Sequence, residues 1–138
     1  MEIIIFILVG VLGATLPYYL HRKFNVEPVK ASALPSLILG LIFYFSPIIL
    51  SKSLHFHIPI LFFGASFVGM VSKKILPGYL QVASAGIIFT LLYLNASSFF
   101  NGYGGGLGTA ACISVLSLYG IKKIKSLIRF ISVKKKSN

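Results

Sequence analysis

Apolar residues occur along the chain in five long runs, separated by short segments that carry most of the charged residues. Each run is about 15 to 23 residues long, and an α-helix needs about 20 apolar residues to cross a bilayer. The pattern therefore predicts an all-α membrane protein with five transmembrane helices. The predicted spans are residues 3–20, 33–50, 58–72, 75–97 and 104–121.

The basic residues fall on alternate sides of these predicted spans. The second connecting loop contains only Lys52, and the fourth contains no Lys or Arg. Because cytoplasmic loops of membrane proteins are enriched in Lys and Arg, we expect the N-terminus outside and the C-terminus inside a multi-pass inner (plasma) membrane protein. The residues assigned to the inner side are Arg22, Lys23, Lys30, Lys73, Lys74, Lys122, Lys123, Lys125, Arg129, Lys134, Lys135 and Lys136.

The composition agrees with a membrane protein. The mean hydropathy is +0.92, and only 11% of the residues are charged, against about a quarter in soluble domains. The net charge of +11 would suggest nucleic acid in a soluble protein. Here the basic residues flank apolar runs, so we expect no nucleic-acid partner. The first run has no basic segment before it and is expected to be a retained span rather than a cleaved signal peptide.

The C-terminal segment differs from the spans. Residues 1–121 form the predicted transmembrane domain, and residues 122–138 form a basic cytoplasmic tail. The segment from Ile121 onward alternates Ile and Leu with Lys and Arg at helical spacing. This pattern predicts an amphipathic interfacial helix that binds anionic lipid through Lys122–Lys136. A docking site for a soluble partner is the alternative.

Residues that usually carry catalysis are missing from the spans, none of which contains Asp, Glu, Lys or Arg. The single cysteine, Cys112, lies in an apolar run and fits no metal-binding pattern. His55 and His57 would share a metal only on an extended backbone, where alternate side chains point the same way. We therefore expect no enzyme activity, no cofactor and no metal.

Glycine is concentrated at the start of the fifth span, where Gly102–Gly108 contains five glycines in seven residues. Two interpretations are open. Small residues at four-residue spacing, such as Gly106, Ala110 and Ser114, let membrane helices pack closely. Similar spacing occurs in the other spans, at Ser32, Ser36 and Gly40, at Gly10 and Ala14, and at Ala65 and Gly69.

The second interpretation is a binding site lined by backbone. Each glycine inside a helix costs about 1 kcal/mol relative to alanine, so we expect the run to resist helix formation, which allows a re-entrant start to the fifth span. Free N–H groups at a helix N-terminus suit an anion, and glycine-interrupted spans are typical of transporter sites. The predicted site residues are Gly104, Gly105, Gly106, Gly108 and Thr109, with Gly64, Ser66 and Gly69 opposite and Asn101 and Tyr103 at the outer mouth.

These features favour a small channel or transporter subunit that moves an anion or a small neutral solute. Because five short helices enclose little space, we expect a homo-oligomer or a subunit of a larger membrane complex. The alternative is a non-transporting membrane scaffold whose basic tail recruits a partner or anionic lipid. An enzyme acting on lipid is a third, less favoured hypothesis.

Overall fold

A computed structural model describes residues 2–45, 52–100 and 104–136, with side chains for residues 2–45, 54–95 and 105–132. Within these residues the fold consists of five α-helices and no strands, as the sequence predicts. The helices are α1 (Glu2–Phe24), α2 (Pro28–Phe45), α3 (Lys52–Gly69), α4 (Tyr79–Phe100) and α5 (Gly104–Lys136).

Three of the described helical segments are long and apolar enough to cross a membrane. They are Glu2–Phe24, Pro28–Phe45 and Gly105–Ser132. The apolar parts of α3 and α4, Leu54–Gly69 and Tyr79–Asn95, are shorter. Membrane insertion therefore has support from length and composition, whereas five spans and their orientation remain predictions.

The connection between α1 and α2 is short because the sequence both ends one helix and starts the next. Asn25 follows α1 with φ 52°, the left-handed conformation that asparagine tolerates at a helix C-terminus. His21 Nδ1 donates to Val26 O at 2.8 Å and holds this turn. Pro28 is the first residue of α2, a position where its missing N–H costs nothing.

Several helix ends differ from the predicted spans. α3 begins at Lys52, so Pro59 lies inside the helix instead of in its first turn. α5 continues without a break from Gly104 to Lys136, whereas an interfacial helix separate from the fifth span was expected. Hydropathy shows where the chain is apolar, but the backbone hydrogen bonds of a helix continue beyond the ends of an apolar run. α3 and α5 are therefore longer than their predicted spans. The end of the second predicted span, residues 46–50, lies outside the described residues.

The two central helices are α1 and α3. α3 contacts each of the other four helices, and α1 contacts α2, α3 and α4. In the described residues α2 makes no contact with α4 or α5, so these helices lie at different edges of the bundle. Contacts along α1 show that it runs parallel to α3: Phe6 lies near His57 at the start of both helices, and Gly69 at the end of α3 lies against Ala14 and Pro17.

Close approach of helix backbones fills the centre of the bundle. A Cβ added to Gly86 in α4 would lie 2.7 Å from the backbone oxygen of Gly10 in α1. A Cβ added to Gly69 in α3 would collide with the backbone oxygen of Ala14. Glycine is therefore required at both contacts, as expected of helices that associate in a membrane through small residues.

One end of the bundle carries the basic loops and is called here the basic end. The Tyr18 hydroxyl donates to Leu76 O at 2.8 Å, and Arg22 Nη1 donates to Pro77 O at 3.1 Å. The guanidinium of Arg22 also lies 5.1 Å from the ring centre of Tyr79. These contacts place the end of α1 beside the loop between α3 and α4, so the two basic connections share one end, consistent with the charge pattern.

Candidate functional site

The predicted site residues of α3 face in three different directions and contact four helices in all. Gly64 is buried against α4 and α5, where an added Cβ would lie 2.5 Å from Phe89 Cζ and 3.0 Å from Leu107 Cδ2. Gly69 instead packs against α1. A single surface that includes both glycines is therefore not formed by this arrangement of α3.

Ser66 faces α2. Its hydroxyl lies 2.6 Å from that of Ser32 and donates to the backbone oxygen of Phe63 at 2.6 Å. Ser36 Oγ lies further away, at 3.4 Å from Ser66 Oγ. Because Ser32 and Ser66 are both buried, this pair joins α2 to α3 and leaves the Ser66 hydroxyl with protein partners instead of a solute.

The glycine run is helical where it is described. Gly104–Gly108 forms the start of α5, so the expectation that these residues resist helix formation is wrong. The cost of glycine in a helix is measured in water, whereas in lipid the backbone must satisfy its own hydrogen bonds, which favours helix. Asn101 and Tyr103, predicted at the outer mouth, lie outside the described residues.

The glycines of this run have unequal surroundings. Gly106 is buried, whereas a Cβ added to Gly105 or Gly108 would meet no atom within 4 Å. Thr109 is exposed, and its hydroxyl donates to Gly105 O at 3.0 Å. Gly105, Gly108, Thr109 and the exposed Cys112 form a small-residue surface, called here the open α5 face.

The structure brings the two halves of the predicted site into contact through Leu107, a chain neighbour of the predicted residues in α5. Leu107 of α5 packs onto Gly64 of α3, between Gly106 and Gly108 in the chain. Ser66 and Gly69 have partners on other helices. A site that joins all the predicted residues remains a prediction, and it would require α3 and α5 to rearrange.

A groove of about 750 Å³ lies between α2 and α5, over the surface of α3. It exists because the described residues of α2 and α5 do not contact each other, which leaves part of α3 uncovered. Its lining is apolar except for Ser36 and the hydroxyl of Tyr44. The lining residues are Ala33, Leu34, Ser36, Leu37, Gly40, Leu41, Tyr44, Pro59, Ile60, Phe63 and Leu107.

A second cavity, of about 540 Å³, lies at the basic end between the start of α4 and the later part of α5 and is called here the basic pocket. Its lining combines basic, polar and apolar side chains. They are Leu76, Gln81, Leu118, Ile121, Lys122, Lys125, Ser126 and Arg129. Sequence reasoning identified the basic residues but missed Gln81. The available signal was that it is the one glutamine of the chain, near the start of an apolar span.

The two histidines of α3 do not converge on one site. His57 Nδ1 lies 2.9 Å from the Tyr93 hydroxyl of α4, whereas the ring of His55 lies 5.5 Å from that of Phe43 in α2. Residues two positions apart in a helix point in different directions. The described part of the chain contains no group of three or more His, Cys, Asp or Glu residues that could hold a metal.

No protein-family model, curated protein or solved structure matches the chain.

Proposed function

We propose that the protein is a membrane-embedded scaffold subunit that assembles through α5 and holds anionic lipid or a partner at its basic end. The observation that supports this proposal is the packing of α1, α3 and α4. Gly10 and Gly86 bring α1 and α4 together, and Gly69 brings α3 onto α1. A solute path between these three helices would require them to move apart.

The open α5 face supports assembly. Small residues on a membrane helix let another helix approach closely, and the neighbours of Gly105 and Gly108 leave that space free in a single chain. A second copy of the chain supplies a matching face. The proposed assembly is therefore a homo-oligomer in which α5 packs against α5.

The single cysteine of the chain provides a direct test of this assembly. Cys112 is exposed on the open α5 face, so α5–α5 packing would bring two Cys112 thiols near each other. Oxidation or a short bis-maleimide in native membranes should give a covalent dimer, and Cys112→Ser should abolish it. Gly108→Leu should reduce cross-linking several-fold. A protein that stays uncross-linked and monomeric in mild detergent contradicts the proposal.

Transport of an anion or small neutral solute is the second candidate. The exposed position of Gly105 and Thr109 favours it, because these residues would line a path between copies. Purified protein in liposomes should then release anions or neutral solutes faster than empty liposomes, and Gly105→Leu should suppress the release. Equal release with and without protein excludes transport and leaves the scaffold proposal intact.

The same proposal places the chain in the inner membrane with five spans, the N-terminus outside and the basic end in the cytoplasm. Support comes from the shared position of the two basic loops at one end of the bundle. Maleimide labelling of single cysteines in cells tests it: a cysteine introduced at Ser72 should be shielded from an impermeant reagent, with Cys112→Ser as background. Labelling of that cysteine in intact cells contradicts the orientation.

A further inference from the structure

The lining of the basic pocket combines apolar and charged side chains. Leu76, Leu118 and Ile121 are apolar, and Lys122, Lys125 and Arg129 are basic. The apolar side chains precede the basic ones along α5, so the polarity of the pocket changes along the helix axis. This is the order in which a lipid at a membrane surface presents its acyl chains and its headgroup.

The charges of the pocket are not balanced by the protein. The sequence contains two acidic residues, Glu2 and Glu27. Glu27 pairs with Lys30 at 3.0 Å, and Glu2 is at the start of α1, the end opposite Arg22. In the described residues, no carboxylate therefore pairs with Lys122, Lys125 or Arg129, and the pocket attracts an anion.

Gln81 gives a second, independent indication of the chemistry of the ligand. Its Oε1 atom is buried and has no hydrogen-bond partner among the described residues, although it belongs to a side chain that lines the pocket. A buried acceptor without a donor is costly. The oxygens of an ionised phosphodiester cannot donate a hydrogen bond, whereas a hydroxyl on the same ligand can donate to Oε1 once the Gln81 side chain turns this atom toward the pocket. The pocket also lies beside the N-terminus of α4, which begins at Tyr79 and favours negative charge.

We propose that the basic pocket binds an anionic phospholipid whose headgroup carries hydroxyl groups. Lys122, Lys125 and Arg129 contact the phosphodiester, and the acyl chains follow Leu118 and Ile121. The Gln81 side chain turns its Oε1 toward the pocket and accepts a hydrogen bond from a headgroup hydroxyl. The apolar lining residues select a lipid over a soluble phosphate. This inference rests on the membrane embedding in the proposed function, and it does not require assembly through α5.

The test uses the delipidated full-length protein in detergent, titrated with phosphatidylglycerol or with phosphatidylcholine and observed by native mass spectrometry. The pocket variant is Lys122→Gln/Lys125→Gln/Arg129→Gln. The matched control is Lys73→Gln/Lys74→Gln/Lys123→Gln, which removes three positive charges from described positions outside the pocket lining. Each basic residue near an anionic headgroup contributes about a fivefold gain in affinity.

We therefore expect the pocket variant to bind phosphatidylglycerol at least about tenfold more weakly than the wild type, and the control variant to lose much less. Circular dichroism confirms that both variants keep their helices. Equal losses in the two variants would mean diffuse attraction to the basic end and would overturn the proposed site. Unchanged binding by the pocket variant would overturn it as well.

The role of Gln81 has its own readout. Phosphatidylethanol is an anionic phosphodiester without headgroup hydroxyls, so the wild type should prefer phosphatidylglycerol by about fivefold, the effect of one hydrogen bond. Gln81→Leu should remove this preference and leave phosphatidylethanol binding unchanged. Equal binding of the two lipids by the wild type would refute the assignment of Gln81.

A soluble competitor distinguishes the source of the phosphate. Glycerol 3-phosphate at a thousandfold excess should leave bound phosphatidylglycerol in place. Displacement by the soluble compound would overturn the lipid assignment. Cross-linking at Cys112 is scored separately, so a failure of assembly is distinguished from a failure of lipid binding.

Discussion

The glycines of α1 and α4 and those of the open α5 face occupy opposite environments. Gly10 and Gly86 meet across a helix contact in which an added Cβ has no room. Gly105 and Gly108 face open space, although they lie in the most glycine-rich part of the sequence. Glycine density therefore does not mark the tightest contact of the fold. Gly10, Gly69 and Gly86 lie in close helix contacts, whereas Gly105 and Gly108 leave a surface unfilled.

The largest loss of stability should come from adding a side chain at the α1–α4 contact. Gly86→Leu would force α4 away from the backbone of Gly10, and overpacking of this kind costs about 3 kcal/mol or more. We expect the variant to unfold in detergent at a much lower temperature than the wild type, measured by fluorescence size-exclusion after heating. Gly40→Leu is the matched control, since an added Cβ at Gly40 meets no atom within 4 Å. A similar loss in both variants would mean that the contact does not distinguish the two classes of glycine.

An intermediate loss of stability is expected when Gly64 is replaced. A Cβ there would press on the ring edge of Phe89, and a ring edge can shift where a backbone oxygen cannot. Gly64→Ala should therefore cost about 1 kcal/mol, less than Gly86→Ala in the same assay. Restoration of stability by Phe89→Leu in the Gly64→Ala background would confirm that the ring causes the loss. If the double variant is less stable than either single variant, the contact has been misassigned.

A smaller effect is expected from the serine pair between α2 and α3. Interhelical hydrogen bonds in membranes contribute about 0.6 kcal/mol on average. Ser66→Ala should destabilise the protein by about this amount, and a double-mutant cycle with Ser32→Ala should return a coupling of the same size. The measurement is unfolding in mixed micelles followed by circular dichroism. Zero coupling would show that the two hydroxyls act independently.

The smallest change in stability should come from a substitution on the open α5 face. Gly105→Ala places a methyl group in empty space and improves helix propensity by up to about 1 kcal/mol. We expect the stability of the monomer to stay the same or rise slightly in the heating assay. A marked fall in stability in dilute detergent would mean that Gly105 is already packed within one chain, contrary to its described surroundings.

The sequence predicted the all-helical fold, because apolar runs of about 20 residues are typical of helices that cross a bilayer. It also identified small-residue spacing at Gly10, Ala14 and Gly69, which lie in helix contacts in the structure. It could not tell these positions from Gly40, since spacing shows which residues share a face but not which helix covers that face. The helical state of Gly104–Gly108 was missed because helix propensities come from water.

The candidate site was less predictable than the fold. Gly64, Ser66 and Gly69 lie close together in the sequence. Helical geometry nevertheless directs Gly64 toward α4 and α5, Ser66 toward α2 and Gly69 toward α1. Gln81 approaches the basic residues of α5 only through the packing of α4 on α5. Such a juxtaposition depends on tertiary contacts that no local pattern in the sequence encodes.

The unbroken length of α5 has a thermodynamic consequence. The same helix carries the open α5 face near its start and most of the basic pocket near its other end. If packing of a second copy at Gly105 changes the rotation or tilt of α5, Lys125 and Arg129 move with the helix. Lipid occupancy and the monomer–oligomer equilibrium would then be linked functions, each changing the other's binding constant by the same factor. The lipid composition of the membrane would thereby set the oligomeric state.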